Sequence, residues 1–532
     1  MRLQTIGKWS LRLLGVIAVL IVIAIVSLYF IFTGSVRQAY GADTKVADPA
    51  QFLIDAEATA ITNVSILSAD GAQMLPDRTV LLANRKIVSI STSADIPDGI
   101  QTIDGRGKFL IPGLVDSHVH LHRSPNDLLL YVANGVTQIR SMNGSIQDLE
   151  LKREIENGRL GPHLYVSSAS MASADGFGTT FDEMTPDWMP DSLFYSILEA
   201  TANLDVSRDS EQAASSARRF IRDGRDGIKL YGFLSMDSFR AILDVAEELD
   251  VPTAAHIPDA MALGELRTTK LQEIAHIEEL VKALQREYNK LPNQDELSYL
   301  DYVDRRKDEI VTDLVQNDIA VHSTLWFIES FQDQIYNLEE KLKEVELEYA
   351  NPGLVEGNWV AASGMAPAGW LPGTNRFETW AGHTPEEIAG SNEYWNGYIG
   401  AHHILLDAMI ETGVTVLAGT DTGGWLVVPG FALHDELETL QNRGMTPAQA
   451  LRTATSAPAR RIRSNAGNIQ IGRRADLLLL NQNPLNDIAN TRSIETVILD
   501  GEVFDRSQLD SILEAVKRAN DESRKVDISR YQ

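Results

Sequence analysis

The chain has 532 residues, of which 44% are hydrophobic, and a formal net charge of -27. That acidic excess excludes a nucleic-acid partner, since phosphate contacts need a basic face. Cysteine is absent, so disulfides, thiolate metal ligands and a cysteine nucleophile are all excluded.

Leu13 to Phe32 is almost wholly apolar, about the ~20 residues that a helix needs to cross a bilayer. Arg2, Lys8 and Arg12 precede it, a bias that holds the short tail in the cytoplasm and carries the rest outward. Residues 1–34 are therefore expected to be a tail and transmembrane anchor, with the remainder periplasmic or extracellular. The alternative is a secretory signal cleaved near Ala39–Ala42. A polar linker follows over 35–56.

From 57 to 112 short alternating runs (TNVSIL, TVLLAN, KIVSIST) are separated by turn signals, the pattern of small antiparallel strands. The middle of the chain supplies eight strand candidates in series: LVDSHVHL, GVTQIRSM, HLYVSSAS, GIKLYG, PTAAHI, EIAHIE, IAVHSTLW and VTVLAGTD. Most are separated by amphipathic helical stretches. Eight alternations of apolar strand and helix predict a (β/α)8 TIM barrel over 113–460. The connection from about 327 to 412 is long, carries Trp359, Trp370, Trp380 and Trp395, and is expected to cover the barrel mouth as a lid. Strand texture returns over 461–506, so both chain ends are expected to build one β-sandwich beside the barrel. An amphipathic helix over 507–532 closes the chain and could pack on the barrel or on a second copy in a homo-oligomer.

Six metal-ligand candidates stand at the ends of these strands: His118 and His120, Lys229, His256, His276 and Asp421. In a parallel barrel the carboxyl ends of the strands converge on one mouth, so residues far apart in sequence share a site. Residues two apart in a strand face the same way, so His118 and His120 can grip one ion. Taken singly, each histidine could equally be a satisfied core residue, and Asp421 a helix cap. A lysine ammonium repels cations, so Lys229 can serve only as the carbamate formed with CO2, whose two oxygens bridge two ions; otherwise it is an ion-pairing lysine. Two cations would lower the pKa of water toward neutrality, and the reaction class is then metal-assisted hydrolysis.

The motifs GKFLIPGLVDSHVHL, GIKLYG, AAHI, IAHIEE, AGTDTG and GRRADLLLLNQNPL resemble those of the amidohydrolase superfamily, in its binuclear prolidase-type and imidazolonepropionase-like branch, from about Ile61 to Phe504. The resemblance implies two divalent ions, zinc by analogy. His118, His120 and Asp421 would hold one, His256 and His276 the other, with carboxylated Lys229 between them. It further implies that Asp421 passes the proton of a metal-bridging hydroxide to the leaving nitrogen. Tyr231 shares the inward face of Lys229 and is a candidate donor to the oxyanion or to a substrate carboxylate. Arg140 and His322, ending their strands, are candidate substrate contacts, Arg140 as a clamp on a carboxylate.

The expected activity is hydrolysis of an amide or peptide C–N bond in a small or peptide-like substrate, such as an N-acyl amino acid or a dipeptide. A mononuclear cyclic-amide hydrolase or deaminase is the alternative on the same fold. Against a deaminase, His256 is followed by Ile-Pro-Asp-Ala, without the glutamate general acid such enzymes place there. A membrane-tethered binding protein without catalysis is the reading from another class.

Overall fold

The computed structural model describes Ser27 and residues 44–525, apart from 55–57, 93–95, 122–123, 125, 177–202, 293–295, 353–383 and 424–426. Apart from Ser27, the apolar segment Leu13 to Phe32 lies outside the described residues, and among those no helix is long and apolar enough to cross a membrane.

The chain enters through β1 (Thr59–Leu67), β2 (Met74–Ala83), β3 (Lys86–Ser91), β4 (Gln101–Asp104) and β5 (Phe109–Pro112). It returns to the same sheet at its far end with β16 (Leu477–Leu480), β17 (Ile494–Leu499) and β18 (Glu502–Asp505). The order is β18-β17-β16-β5-β1-β2-β3, with β4 also on β1. In hydrogen-bonding terms this is one continuous eight-stranded sheet, and Lys86 at its β3 edge bridges Arg474, just before β16, so the sheet folds back on itself. Its seam is the antiparallel pairing of β16 with β5, Leu477 opposite Pro112 and Leu480 opposite Phe109. Leu477 to Leu480 are all fully buried, and each contributes about 2 kcal/mol by leaving water.

Between these ends run the barrel strands: β6 (Leu114–Val119), β7 (Val136–Ser141), β8 (His163–Val166), then, after a branch of two strands, β11 (Ile228–Leu230), β12 (Thr253–Ala255), β13 (Glu273–Ile274), β14 (Ala320–His322) and β15 (Val416–Leu417). All neighbours pair in parallel. Two seams close the ring. Ser167 bridges Gly227, with the Ser168 amide donating to the Gly227 carbonyl at 2.8 Å. Val119 bridges Thr422, and the Ser117 amide donates to the Ala418 carbonyl at 2.9 Å. The eight strands are those expected from the apolar runs, and each is buried on both sides, as a barrel wall requires.

HLYVSSAS does not remain one strand. It breaks after Val166, and Ser170–Ser173 forms β9, which pairs with β11 and with β10 (Leu204–Ser207) as a parallel side branch. Gly113 turns the chain from sheet into barrel with no room for a side chain: a Cβ there would lie 2.2 Å from the Thr137 hydroxyl.

The helices have conventional starts. Ser235 and Ser298 each accept an amide of the first turn of Met236–Leu249 and Tyr299–Gln316, worth about 1 kcal/mol apiece. The long connection is only partly what its composition suggested. It opens with helix Leu325–Tyr336 and ends in the 21-residue helix Asn392–Thr412, which packs on Tyr299–Gln316 as a wall helix of the barrel. Trp395, on that helix, stacks on Phe331 with ring centroids 5.7 Å apart; Trp359, Trp370 and Trp380 lie outside the described residues. The final helix, Arg506–Arg524, buries Leu509, Ile512 and Val516 and packs on helix Asp127–Ala133. Its Ser523 hydroxyl accepts the Lys45 amide at 2.8 Å, so the two ends of the described chain meet.

Candidate metal centre

The strand ends bring the six candidates to one place. His120 Nε2 stands 3.1 Å from Asp421 Oδ1, and His118 Nε2 stands 3.5 Å from the same oxygen. Lys229 Nζ lies 3.4 Å from His118 Nε2. The His276 ring sits 4.3 Å from that of His118 and 5.1 Å from that of His256, centroid to centroid. Tyr231 lies against His256 at 4.6 Å.

Local backbone explains the convergence. Asp116 is fully buried and accepts the His118 amide, the Thr420 amide and the Thr420 hydroxyl, which ties the first barrel strand to the loop after the last. The Asp421 amide donates to the His118 carbonyl at 2.8 Å. Gly419 makes this approach possible, because a Cβ there would fall 2.8 Å from the His118 Cβ. Asp421 itself is in the left-handed region at φ 56°, a strained state that functional loops retain.

The electrostatics favour a cation over protons on the rings. Burial depresses His118 and His276 well below the ordinary histidine value, and Lys229 depresses both further. His256 is lowered by burial too, although Glu279 opposes the shift. Asp421 stays ionised: burial pushes it up, but His276 and His120 more than reverse that. Lys229, 1% exposed, is brought down to about 7 by burial. Among the described residues it makes no ion pair, so its ion-pairing alternative has no partner. A near-neutral buried amine is what reaction with CO2 requires.

Each of three rings is held from behind at Nδ1. His256 Nδ1 donates to Glu279 Oε1 at 2.8 Å, and Glu279, held ionised by His256 and Lys282 despite its burial, also takes the Ile257 amide. His276 Nδ1 is 2.9 Å from the Thr324 hydroxyl. His118 Nδ1 is 3.0 Å from His322 Nδ1. This leaves Nε2 of His118, His256 and His276 for the centre. Asp421 Oδ1 is buried and lacks a well-formed hydrogen bond, and His118, His120 and Asp421 offer three ligand atoms within 4.8 Å of one another. Neutral imidazoles at His118, His256 and His276 beside the ionised Asp421 carboxylate, whose Oδ1 lacks a well-formed hydrogen bond, fit a borderline divalent cation such as zinc.

Arg140 and His322 are not where a substrate would meet them. Arg140 is 1% exposed inside the barrel, and its Nη2 donates to Glu273 Oε2 at 2.6 Å, with Tyr165 beneath the guanidinium. His322 is fully buried, its Nε2 2.8 Å from the same Glu273 oxygen. Their position near the strand ends puts both inside the barrel, but at a depth below the mouth. Glu273 and Glu279 were missed, though a signal existed: they stand three residues either side of His276, in EIAHIEE.

A second His/Asp group, His163, Asp476 and Asp500, lies beside the amino ends of the strands, at the edge of a cleft of about 560 Å³. Arg474 already pairs with Asp476. Burial would lower His163, but Asp476 and Asp500, each 3.5 Å from its Nε2, raise it to about 9, so this group holds together as an ion cluster although His163 Nε2 lacks a well-formed hydrogen bond.

A closed parallel barrel with its ionisable cluster at the carboxyl ends of the strands has the layout of a barrel enzyme. Residues 109–504 match the amidohydrolase family. The chain belongs to that family, and it is a hydrolase acting on carbon–nitrogen bonds. It is 24% identical over 463 residues to a 5'-deoxyadenosine deaminase of Methanosphaera stadtmanae, a match covering 80% of this chain and 89% of that protein. Among solved structures it resembles bottromycin amidohydrolase, at 19% identity and TM-score 0.62, covering 89% of this chain and 93% of that one. It also resembles a Xaa-Pro dipeptidase with bound methionine in its active site, at 17% identity and TM-score 0.57, covering 84% and 100%. These last two likenesses speak for the fold.

Proposed function

We propose that the chain hydrolyses the amide bond of an N-acyl amino acid or dipeptide at a binuclear divalent metal centre. His118, His120 and Asp421 would hold one ion, His256 and His276 the other, and carboxylated Lys229 would join them. The observation that carries this reading is Lys229: buried, without an ion pair among the described residues, and 3.4 Å from a ring nitrogen of His118. Divalent ions held by these residues would supply a lowered pKa for water and polarisation of a carbonyl. The Asp421 carboxylate takes the proton released by the attacking water and returns it to the leaving nitrogen. The Tyr231 hydroxyl, which burial keeps protonated, donates to the oxyanion as it forms.

The test is metal content per chain. Two zinc or similar ions are expected, falling toward one or none in Lys229→Ala. A single ion, indifferent to that substitution, would overturn the binuclear reading. It would favour a mononuclear deaminase, which the deaminase relative supports by its 24% identity. For the N-terminus we propose a membrane anchor over Leu13 to Phe32, supported by its unbroken apolar length and the preceding Arg2, Lys8 and Arg12. Removing residues 1–34 should move the chain from the membrane fraction to the soluble one; no change would refute the anchor.

A further inference from the structure

Beneath the centre, four side chains from four different strands form one unbroken line. Arg140 Nη2 donates to Glu273 Oε2 at 2.6 Å; His322 Nε2 faces that oxygen at 2.8 Å; His322 Nδ1 faces His118 Nδ1 at 3.0 Å. Such a row is unusual in a barrel interior, where bulky aliphatic side chains ordinarily fill the layers. Arg140 and Glu273 are each 1% exposed and both histidines are fully buried, so no member owes its place to solvent.

With both imidazoles neutral, the line has one consistent set of protons. Glu273, ion-paired with Arg140, is an acceptor, so His322 Nε2 must carry hydrogen. A neutral imidazole has one ring hydrogen, which leaves His322 Nδ1 bare. Two bare nitrogens would repel at 3.0 Å, so His118 must place its own hydrogen on Nδ1 and donate it. His118 Nε2 then presents a lone pair toward Lys229 and Asp421. The opposite tautomer of His118 would put an N–H where a cation has to bind.

We infer that Glu273 and His322, anchored by Arg140, are positioning residues that fix the tautomer and orientation of His118, and through it the affinity of one ion of the centre. This rests on the reading of His118 as a metal ligand. The inference goes beyond that reading by giving the buried row a task and by predicting a selective effect on one of the two ions. A partner of this kind behind a metal-ligating histidine is worth about 10–100-fold in metal affinity.

The experiment is titration of Zn2+ into metal-stripped, full-length chain. His322→Phe should weaken one of the two ions by ~10–100-fold and leave the other unchanged. His322→Gln, whose amide again offers an acceptor beside a donor, should recover most of the loss, which general damage to the core would not allow. If His322→Phe does not fold, Glu273→Gln, nearly the same in shape, should weaken the same ion alone. Equal binding of both ions by these variants and the wild type would overturn the inference while leaving the metal centre standing. Full binding by His118→Ala would instead overturn the metal-ligand reading, and the inference with it.

Discussion

At the carboxyl ends of the barrel strands His118 stands 3.5 Å from Asp421; beside the amino ends His163 stands 3.5 Å from Asp476. The two pairs match in residue type and separation and differ in everything that surrounds them. His118 has Lys229 and three further histidines for neighbours and is held neutral. His163 faces two carboxylates that hold it charged, while Arg474 occupies one of them. The first is a set of lone pairs without protons, and the second is a closed ion cluster binding the barrel wall to the sheet. The neighbours, not the contact distance, separate a binding site from a structural joint.

The strongest way to break this contrast is to remove one carboxylate from each end. Asp421→Asn should lower turnover by roughly 10³-fold or more, as several kcal/mol of transition-state stabilisation are lost. Asp476→Asn should leave turnover per folded molecule nearly intact and cost about 3 kcal/mol of stability, because it strands buried charge. Paired measurements of kcat and Tm decide it: equal loss of turnover in both would remove the distinction.

A smaller effect sharpens the description of the mouth. Glu279→Gln keeps the shape behind His256 but removes its charge, and should weaken metal binding by about 10-fold, read by competition with a chelator. Unchanged affinity would reduce Glu279 to a partner of Lys282 and the Ile257 amide.

The smallest effect concerns the other end and has a definite sign. His163 is raised to about 9, above the ordinary histidine value of 6.5, so its contribution is complete below about pH 6.5 and disappears as pH rises through about 9. The Tm gap between wild type and His163→Gln should therefore be widest near pH 6 and close toward pH 10. A gap that widens with pH would contradict the charged cluster.

The parts of this arrangement that could be read in the sequence are those carried by local periodicity. Each barrel strand contains a short apolar run, and alternation within HVH and IKLY sets His118 with His120, and Lys229 with Tyr231, on shared faces. Depth within the barrel is another matter. Whether Arg140 meets substrate or Glu273 depends on the stagger between strands 133 positions apart, and no window along the chain contains that. The break in HLYVSSAS was hidden for a related reason: β9 is a strand only because β10 and β11 lie beside it. The length of the long connection and its tryptophans, Trp395 among them, suggest a cover, whereas its closing helix Asn392–Thr412 packs on Tyr299–Gln316 in the wall. The strands of the shared sheet all lie within 59–112 and 477–505, inside the two segments whose alternating texture suggested one β unit built from both chain ends.

That shared sheet constrains how the molecule can be made. β5 needs β16 as its neighbour, yet nearly the whole barrel is translated between them. A ribosome therefore delivers a barrel whose first strand hangs from an unfinished sheet edge. Pairing of this range is slow, because a long loop must close before any contact is gained. Phe109–Pro112, apolar and unpaired on one side until the end of synthesis, is the place where a chaperone would have most to protect.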